Sequence, residues 1–92
     1  MIYGLIQAEN VPRENFFTLM RRARQIALEI EGVYDVALYQ TEQAGVWRCT
    51  VNIDSRGAWE LLQMDQRFQE VWTELTVQGV RVMHRDPMER RI

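Results

Sequence analysis

The stretch VYDVALYQTEQAGVWRCTVNID, residues 33–54, holds two hydrophobic runs of period two joined by a short polar turn. In the second run apolar and polar side chains alternate: Trp47, Cys49, Val51 and Ile53 against Arg48, Thr50 and Asn52. Because successive strand residues point to opposite faces, this alternation predicts a strand with one buried and one open face. The first run predicts its hairpin partner, with Tyr34, Val36 and Leu38 on one face and Asp35, Ala37 and Tyr39 on the other.

The chain before this hairpin predicts one strand and one helix. Residues 2–8 carry apolar groups on both parities, as expected of a central strand covered on both faces. Residues 13–31 place apolar side chains at helical spacing, namely Phe16, Leu19, Met20, Ala23, Ile26, Ala27 and Ile30. Asn10 is the expected N-cap of this helix, and Gly32 is expected to end it.

The chain after the hairpin predicts a second helical region, residues 56–78, and a last strand. Asp65 falls inside the apolar stripe, where an unpaired carboxylate would be costly. We therefore predict a short helix to about Gln63 and a second segment capped by Asp65. Trp59 lies off the stripe and is expected to be partly exposed. The last strand is predicted over 80–85, stopped by Asp86-Pro87, with residues 87–92 as a tail.

The order β-α-β-β-α-β predicts an α+β, ferredoxin-like fold: a four-stranded antiparallel sheet with two helices on one face. At 92 residues the chain is expected to be one domain, residues 1–92. The net charge of −2 argues against a nucleic-acid partner. No apolar stretch is long enough for a membrane span, and the N-terminus does not look like a signal peptide. The single cysteine, Cys49, suits a reducing cytoplasm.

The sheet face away from the helices is the predicted ligand or dimer surface. It combines apolar groups with four candidate ligand-binding side chains: Tyr3, Tyr39, Arg48 and Asn52. A few polar groups in an apolar setting suit a small-molecule site, and equally a partly wet homodimer interface. The last strand adds either Val82 and His84 or Arg81, Met83 and Arg85, because its parity is open at this stage.

Few residues are candidates for catalysis. His84, next to Asp86, is a weak catalytic candidate, since a carboxylate can tune an imidazole as a general base. We favour a plain surface or interface histidine over this role. One histidine and one cysteine leave too few ligands for a metal site, and no Gly-rich phosphate loop is present, so we expect neither metal nor cofactor. Cys49 is expected to act as a small, inert hydrophobe.

The plan resembles the dimeric α+β barrel superfamily, which includes the antibiotic-biosynthesis monooxygenase, EthD and stress-responsive barrel families. The most similar local feature is SRGAWELLQMDQRF, residues 55–68, in which a short helix is followed by an Asp and, three residues later, a Phe. The resemblance implies two sheets packed face to face as a homodimer. Members of that superfamily range from cofactor-free oxygenases and isomerases to proteins of no known activity, and the resemblance carries over no catalytic residue.

Three functions follow from these observations. The first is a non-catalytic protein that binds a small apolar or aromatic molecule or another protein. The second is a cofactor-independent monooxygenase or isomerase acting on a small aromatic substrate in the sheet cavity. The third is a subunit of a larger assembly. Whether the protein is an enzyme stays open at this stage.

Overall fold

The computed structural model describes residues 2–87, with side chains for residues 2–83. The elements are β1 (Ile2–Gln7), α1 (Arg13–Leu28), β2 (Val33–Gln40), β3 (Val46–Ile53), α2 (Arg56–Met64), α3 (Gln66–Val77) and β4 (Arg81–Pro87). The strands form one antiparallel sheet in the order β2-β3-β1-β4. This confirms the ferredoxin-like prediction, with the second helical region divided in two. The predicted tail beyond Pro87 lies outside the described residues.

The core lies between the helices and one face of the sheet. Phe16, Leu62 and Leu75 are its largest fully buried side chains, one from each helix. The helix-side face of β1 contributes Ile2 and Ile6, both buried. Alternation in β3 is as predicted, because Trp47, Cys49, Val51 and Ile53 pack against the core. The helices therefore cover one face only, which we call the helix-side face, and the opposite side is called the open face.

The face predicted for Tyr34 is wrong. Its side chain is 63% exposed, and its hydroxyl donates to the Asp54 carboxylate at 3.2 Å. The β2–β3 register shifts between Val33 and Asp35, so Val33 and Val36 both point to the core. A bulge inserts one residue and reverses the parity beyond it, which an unbroken period-two pattern cannot anticipate.

Helix α1 begins and ends differently from the prediction. Pro12 occupies the N-cap position without a side-chain cap, so Asn10 does not cap the helix. The helix ends at Leu28, because the N–H groups of Glu29 and Ile30 bond three residues back and tighten the last turn. Gly32 then reverses the chain at φ +92°. No helix in residues 2–87 is both long and apolar enough to cross a bilayer.

Strand β4 runs two residues further than predicted and includes Asp86-Pro87. β4 is an edge strand. An edge strand tolerates proline where the backbone N–H would point away from the sheet, because no hydrogen bond to a neighbouring strand is lost. Val82 lies opposite Ile6, whereas His84 lies opposite Leu5, with a register shift between the two positions. Neither predicted parity set therefore holds for the whole strand.

Candidate functional site

A cavity of about 180 Å³ lies between the helix-side face and the three helices. Alternate residues of β1 form much of its floor, namely Ile2, Gly4 and Ile6. Cys49, directly opposite Gly4 in the sheet, continues the floor on β3. Because Gly4 lacks a side chain, β1 presents only backbone to the cavity between two buried isoleucines.

The break between α2 and α3 positions the upper wall of the cavity. Asp65 ends α2 in an extended conformation, and its carboxylate accepts from the N–H groups of Arg67 at 2.9 Å and Phe68 at 3.2 Å. The predicted interruption and cap are confirmed. On either side of this break, α2 and α3 together supply the upper lining: Trp59, Leu62, Gln63, Phe68, Gln69 and Trp72.

Arg67 connects this break to the end of α1. Its guanidinium bonds the Asp65 carboxylate at 3.2 Å and the Glu29 carboxylate at 2.7 Å. The hydrogen bond from the Arg67 side chain is the main reason that the pKa of Asp65 lies below its usual value. Arg67 and Glu29 are at least half exposed, so solvent screens their attraction, whereas the Asp65 side chain is only 17% exposed.

The polar side chains that the helices and β3 contribute to the lining are carboxamides, indoles and one thiol. The Gln69 Nε2 donates to the backbone carbonyl of Gln63 at 2.8 Å, which joins the two amide-bearing residues across the helix break. Burial raises the pKa of the Cys49 thiol to about 11, so the thiol is protonated at neutral pH. Among residues 2–83, no side chain of the lining carries a formal charge at that pH.

The aromatic groups of the lining come from the helices. Phe68 and Trp72 meet edge to face with ring centroids 6.2 Å apart. Trp59 is half-buried on α2, which confirms its predicted partial exposure, and its place beside the cavity was not predicted. Trp47, by contrast, packs on Phe16 and is not part of the lining. The cavity thus offers flat apolar surfaces with a few uncharged polar groups.

The predicted ligand-binding residues lie mainly on the open face. Arg48 stands over the Tyr3 ring at 5.2 Å from its centroid and lies opposite Tyr39 in the sheet. Asn52 is exposed and lies farther along β3, opposite Asp35. Of these residues only Tyr3 also borders the cavity. A second site on the open face therefore stays a prediction.

The structure does not test the remaining catalytic candidate. The side chain of His84 and the chain beyond it lie outside the described side chains, so the histidine stays a prediction. Within the part of the chain described, no three His, Cys, Asp or Glu residues are grouped as metal ligands. The cavity residues Gln63 and Gln69 were missed because their helical positions resemble an ordinary polar surface, and Trp72 because its place on the apolar stripe is typical of a core residue. Gly4 was the one available signal, since glycine inside a strand often marks a close approach.

No protein-family profile matches the chain, and no curated protein matches it. Solved structures do resemble it. SnoaB, a cofactor-independent oxygenase from Streptomyces nogalater, has a TM-score of 0.81 at 10% identity, covering 99% of this chain and 93% of SnoaB. A candidate antibiotic biosynthesis monooxygenase from Deinococcus radiodurans has a TM-score of 0.68 at 17% identity, covering 100% and 96%.

A second candidate antibiotic biosynthesis monooxygenase, from Nitrosomonas europaea, has a TM-score of 0.67 at 11% identity and covers 94% of this chain and 92% of that one. The chain therefore has the fold of antibiotic-biosynthesis-monooxygenase-like α+β barrel proteins, as the sequence resemblance implied. At such identities the likeness establishes the fold alone.

Proposed function

We propose that the protein binds a small, flat, largely apolar molecule in the cavity on the helix-side face. The observation that carries this proposal is the cavity itself, about 180 Å³ with a mainly apolar lining. An apolar cavity of about 150 Å³ is sufficient to bind benzene. The cavity therefore suits a molecule of one or two aromatic rings.

The lining also supports an oriented ligand. Phe68, Trp59 and Trp72 supply ring faces and edges for aromatic contacts. Gln63 and Gln69 supply amide groups at one part of the lining, where a hydroxyl or carbonyl of the ligand finds a hydrogen-bond partner. A few polar groups among apolar ones are the usual way in which a pocket fixes ligand orientation.

Isothermal titration calorimetry with 1-naphthol tests this proposal. We expect a Kd between about 1 μM and 1 mM, the range of modest small-molecule affinities. Trp72→Phe should weaken binding because Trp72 lines the cavity, whereas Trp47→Phe is the matched control outside it. Equal weakening by both variants, or no heat of binding for the wild type, contradicts the proposal.

Cofactor-independent oxygenation is a second candidate, favoured by the similarity to SnoaB. In such a step the substrate supplies the electrons: a ring CH₂ reacts with O₂, gains a carbonyl oxygen and releases the second oxygen atom as water. An aromatic ketone with an acidic CH₂, such as 2-tetralone, is a suitable two-ring probe. Oxygen uptake above the buffer rate, with ¹⁸O from ¹⁸O₂ in the product, supports this function. Uptake at the buffer rate leaves binding as the function.

A further inference from the structure

Gly4 occupies the middle of the cavity floor, where its neighbours on the same face are large. Ile2 and Ile6 flank it at two-residue spacing and are buried, with 8% and 2% exposure. Its partners in the sheet are Cys49 on β3 and Arg85 on β4. Apart from Gly4, the small side chains of the lining are Cys49 and Ala23. Gly4 and Cys49, two of the smallest residues of the lining, thus lie side by side in the cavity floor.

The backbone does not require glycine at this position. Among the described residues, the glycines with positive φ are Gly32, Gly45 and Gly79. The nearby register shift places its extra residue on β4, between Val82 and His84, rather than on β1. Glycine inside a strand weakens it, and it is typical of sites that a ligand approaches closely. The glycine is therefore best explained by the cavity that it lines.

We propose that Gly4 determines which ligands fit, because its missing side chain lets an aromatic ring lie against the backbone of β1. This inference rests on the proposed function and names the feature that sets ligand size. A valine at this position would add three carbon groups, each about the size of a water molecule at roughly 30 Å³. Those groups would take about half of the 180 Å³.

The test is calorimetric titration of phenol and 1-naphthol into the wild type, Gly4→Ala and Gly4→Val. Each added methyl group in an apolar pocket changes affinity by about tenfold or more. We expect 1-naphthol to lose about tenfold in Gly4→Ala and more in Gly4→Val, and phenol to lose less in each. Thr50→Val, a change of similar shape on the open face of β3, should leave both affinities unchanged.

A double variant separates lost space from a damaged fold. Cys49→Ala removes a sulfur atom across from position 4, so Gly4→Ala with Cys49→Ala should recover most of the 1-naphthol affinity. If Gly4→Val does not fold, as judged by cooperative melting, Gly4→Ala and the double variant decide. Unchanged affinity in Gly4→Ala, or no recovery in the double variant, overturns the role of Gly4 while the binding function stands. Absence of binding to the wild type overturns both.

Discussion

The two faces of the sheet differ in what the same strands present to them. On the helix-side face, β3 presents Val51, 8% exposed, and the half-buried Cys49, both in contact with the core. On the open face it presents Arg48 and Asn52, both exposed. The helix-side face therefore contributes most of the stability, because apolar burial is the largest favourable term in folding. It also contains the cavity, so the better-packed face is the one with room for a ligand.

This difference shows that a binding cavity depends on where residues are small, as well as on where they are polar. In the sequence, polar residues such as Arg48 alternate with apolar ones, and this pattern predicts a binding site on the open face. The helix-side cavity instead arises where Gly4 leaves a gap and where Asp65 interrupts the helical layer. Four predictions test this contrast, from the largest expected effect to the smallest.

The largest expected effect is that of shortening a fully buried leucine of the helix-side layer. Leu62 is 0% exposed and lines the cavity. We expect Leu62→Ala to lower the free energy of unfolding by about 2–5 kcal/mol, since it removes buried methyl groups and enlarges a cavity that cannot collapse fully. Urea unfolding followed by circular dichroism measures the change.

The neighbouring leucine is the matched control. Leu61 is 57% exposed on the same helix, α2. Leu61→Ala should change the free energy of unfolding by no more than about 0.5 kcal/mol, as is usual for surface positions. Similar losses for the two variants would mean that α2 does not face the sheet as described.

The second effect is the protection of the thiol on the helix-side face. Burial raises the pKa of Cys49 from 9.0 to about 11, so the reactive thiolate is about a hundredfold rarer at pH 8 than in the unfolded chain. Labelling by a thiol reagent should therefore be at least about a hundredfold slower in the native protein. Because the folded pKa is raised, the stability from the neutral thiol is present below pH 9 and declines as pH rises towards 11.

A thiol moved to the open face provides the comparison. In Cys49→Ala with Asn52→Cys, the new thiol occupies an exposed position on the same strand. Labelled at a protein concentration low enough for the chain to be monomeric, it should react at nearly the rate of the unfolded chain. Fast labelling of Cys49 itself in the wild type would reverse the assignment of the two faces.

Much of the fold was predictable because its information is periodic and local. The alternation around Cys49 identified the core face of β3, and the misplaced charge of Asp65 identified the helix break. The errors at Tyr34 and at the end of β4 come from bulges and from edge position, which depend on pairing with another strand. Such pairing leaves little trace in the sequence of one strand.

The site was less predictable for a related reason. The positions of Gln63 and Trp72 make them part of a cavity only once α2 and α3 pack over the sheet. A period identifies which face a residue occupies, and it carries no information about gaps between layers. The sequence shows that Gly4 has no side chain inside a strand. The size of the resulting cavity depends on the helices that pack over that strand.

The third effect concerns the break between α2 and α3, where Asp65 ends one helix and caps the next. Asp65→Ala removes the acceptor for the N–H groups of Arg67 and Phe68 and the partner of the Arg67 guanidinium. Loss of an N-cap in a domain of this size lowers Tm by about 4–8 °C. Differential scanning calorimetry at pH 7 measures this shift.

Asp65→Asn separates the cap from the charge, because Asn caps a helix about as well as Asp. It should recover most of the Tm lost in Asp65→Ala. The pKa of Asp65 is lowered in the folded state, so its contribution is present above the unfolded pKa and is lost as pH falls through the folded value. The Tm difference between wild type and Asp65→Asn should therefore shrink on acidification below about pH 4. A difference that stays constant contradicts the charge contribution.

The smallest effect lies on the open face and reports what covers it. The cation–π contact between Arg48 and the Tyr3 ring is worth about 0.5 kcal/mol at an exposed site, or about 2–4 °C in Tm.

We propose that a second copy of the chain covers this face, since Tyr39 and Leu5 add apolar surface beside Arg48. A dimer melts at a temperature that rises with protein concentration, whereas a monomer does not. Wild-type Tm should therefore rise with concentration, and Arg48→Gln should reduce that rise, while Arg22→Gln on the exposed side of α1 keeps it. A Tm independent of concentration, together with monomer mass in analytical ultracentrifugation at micromolar concentration, would show that the open face is exposed to water.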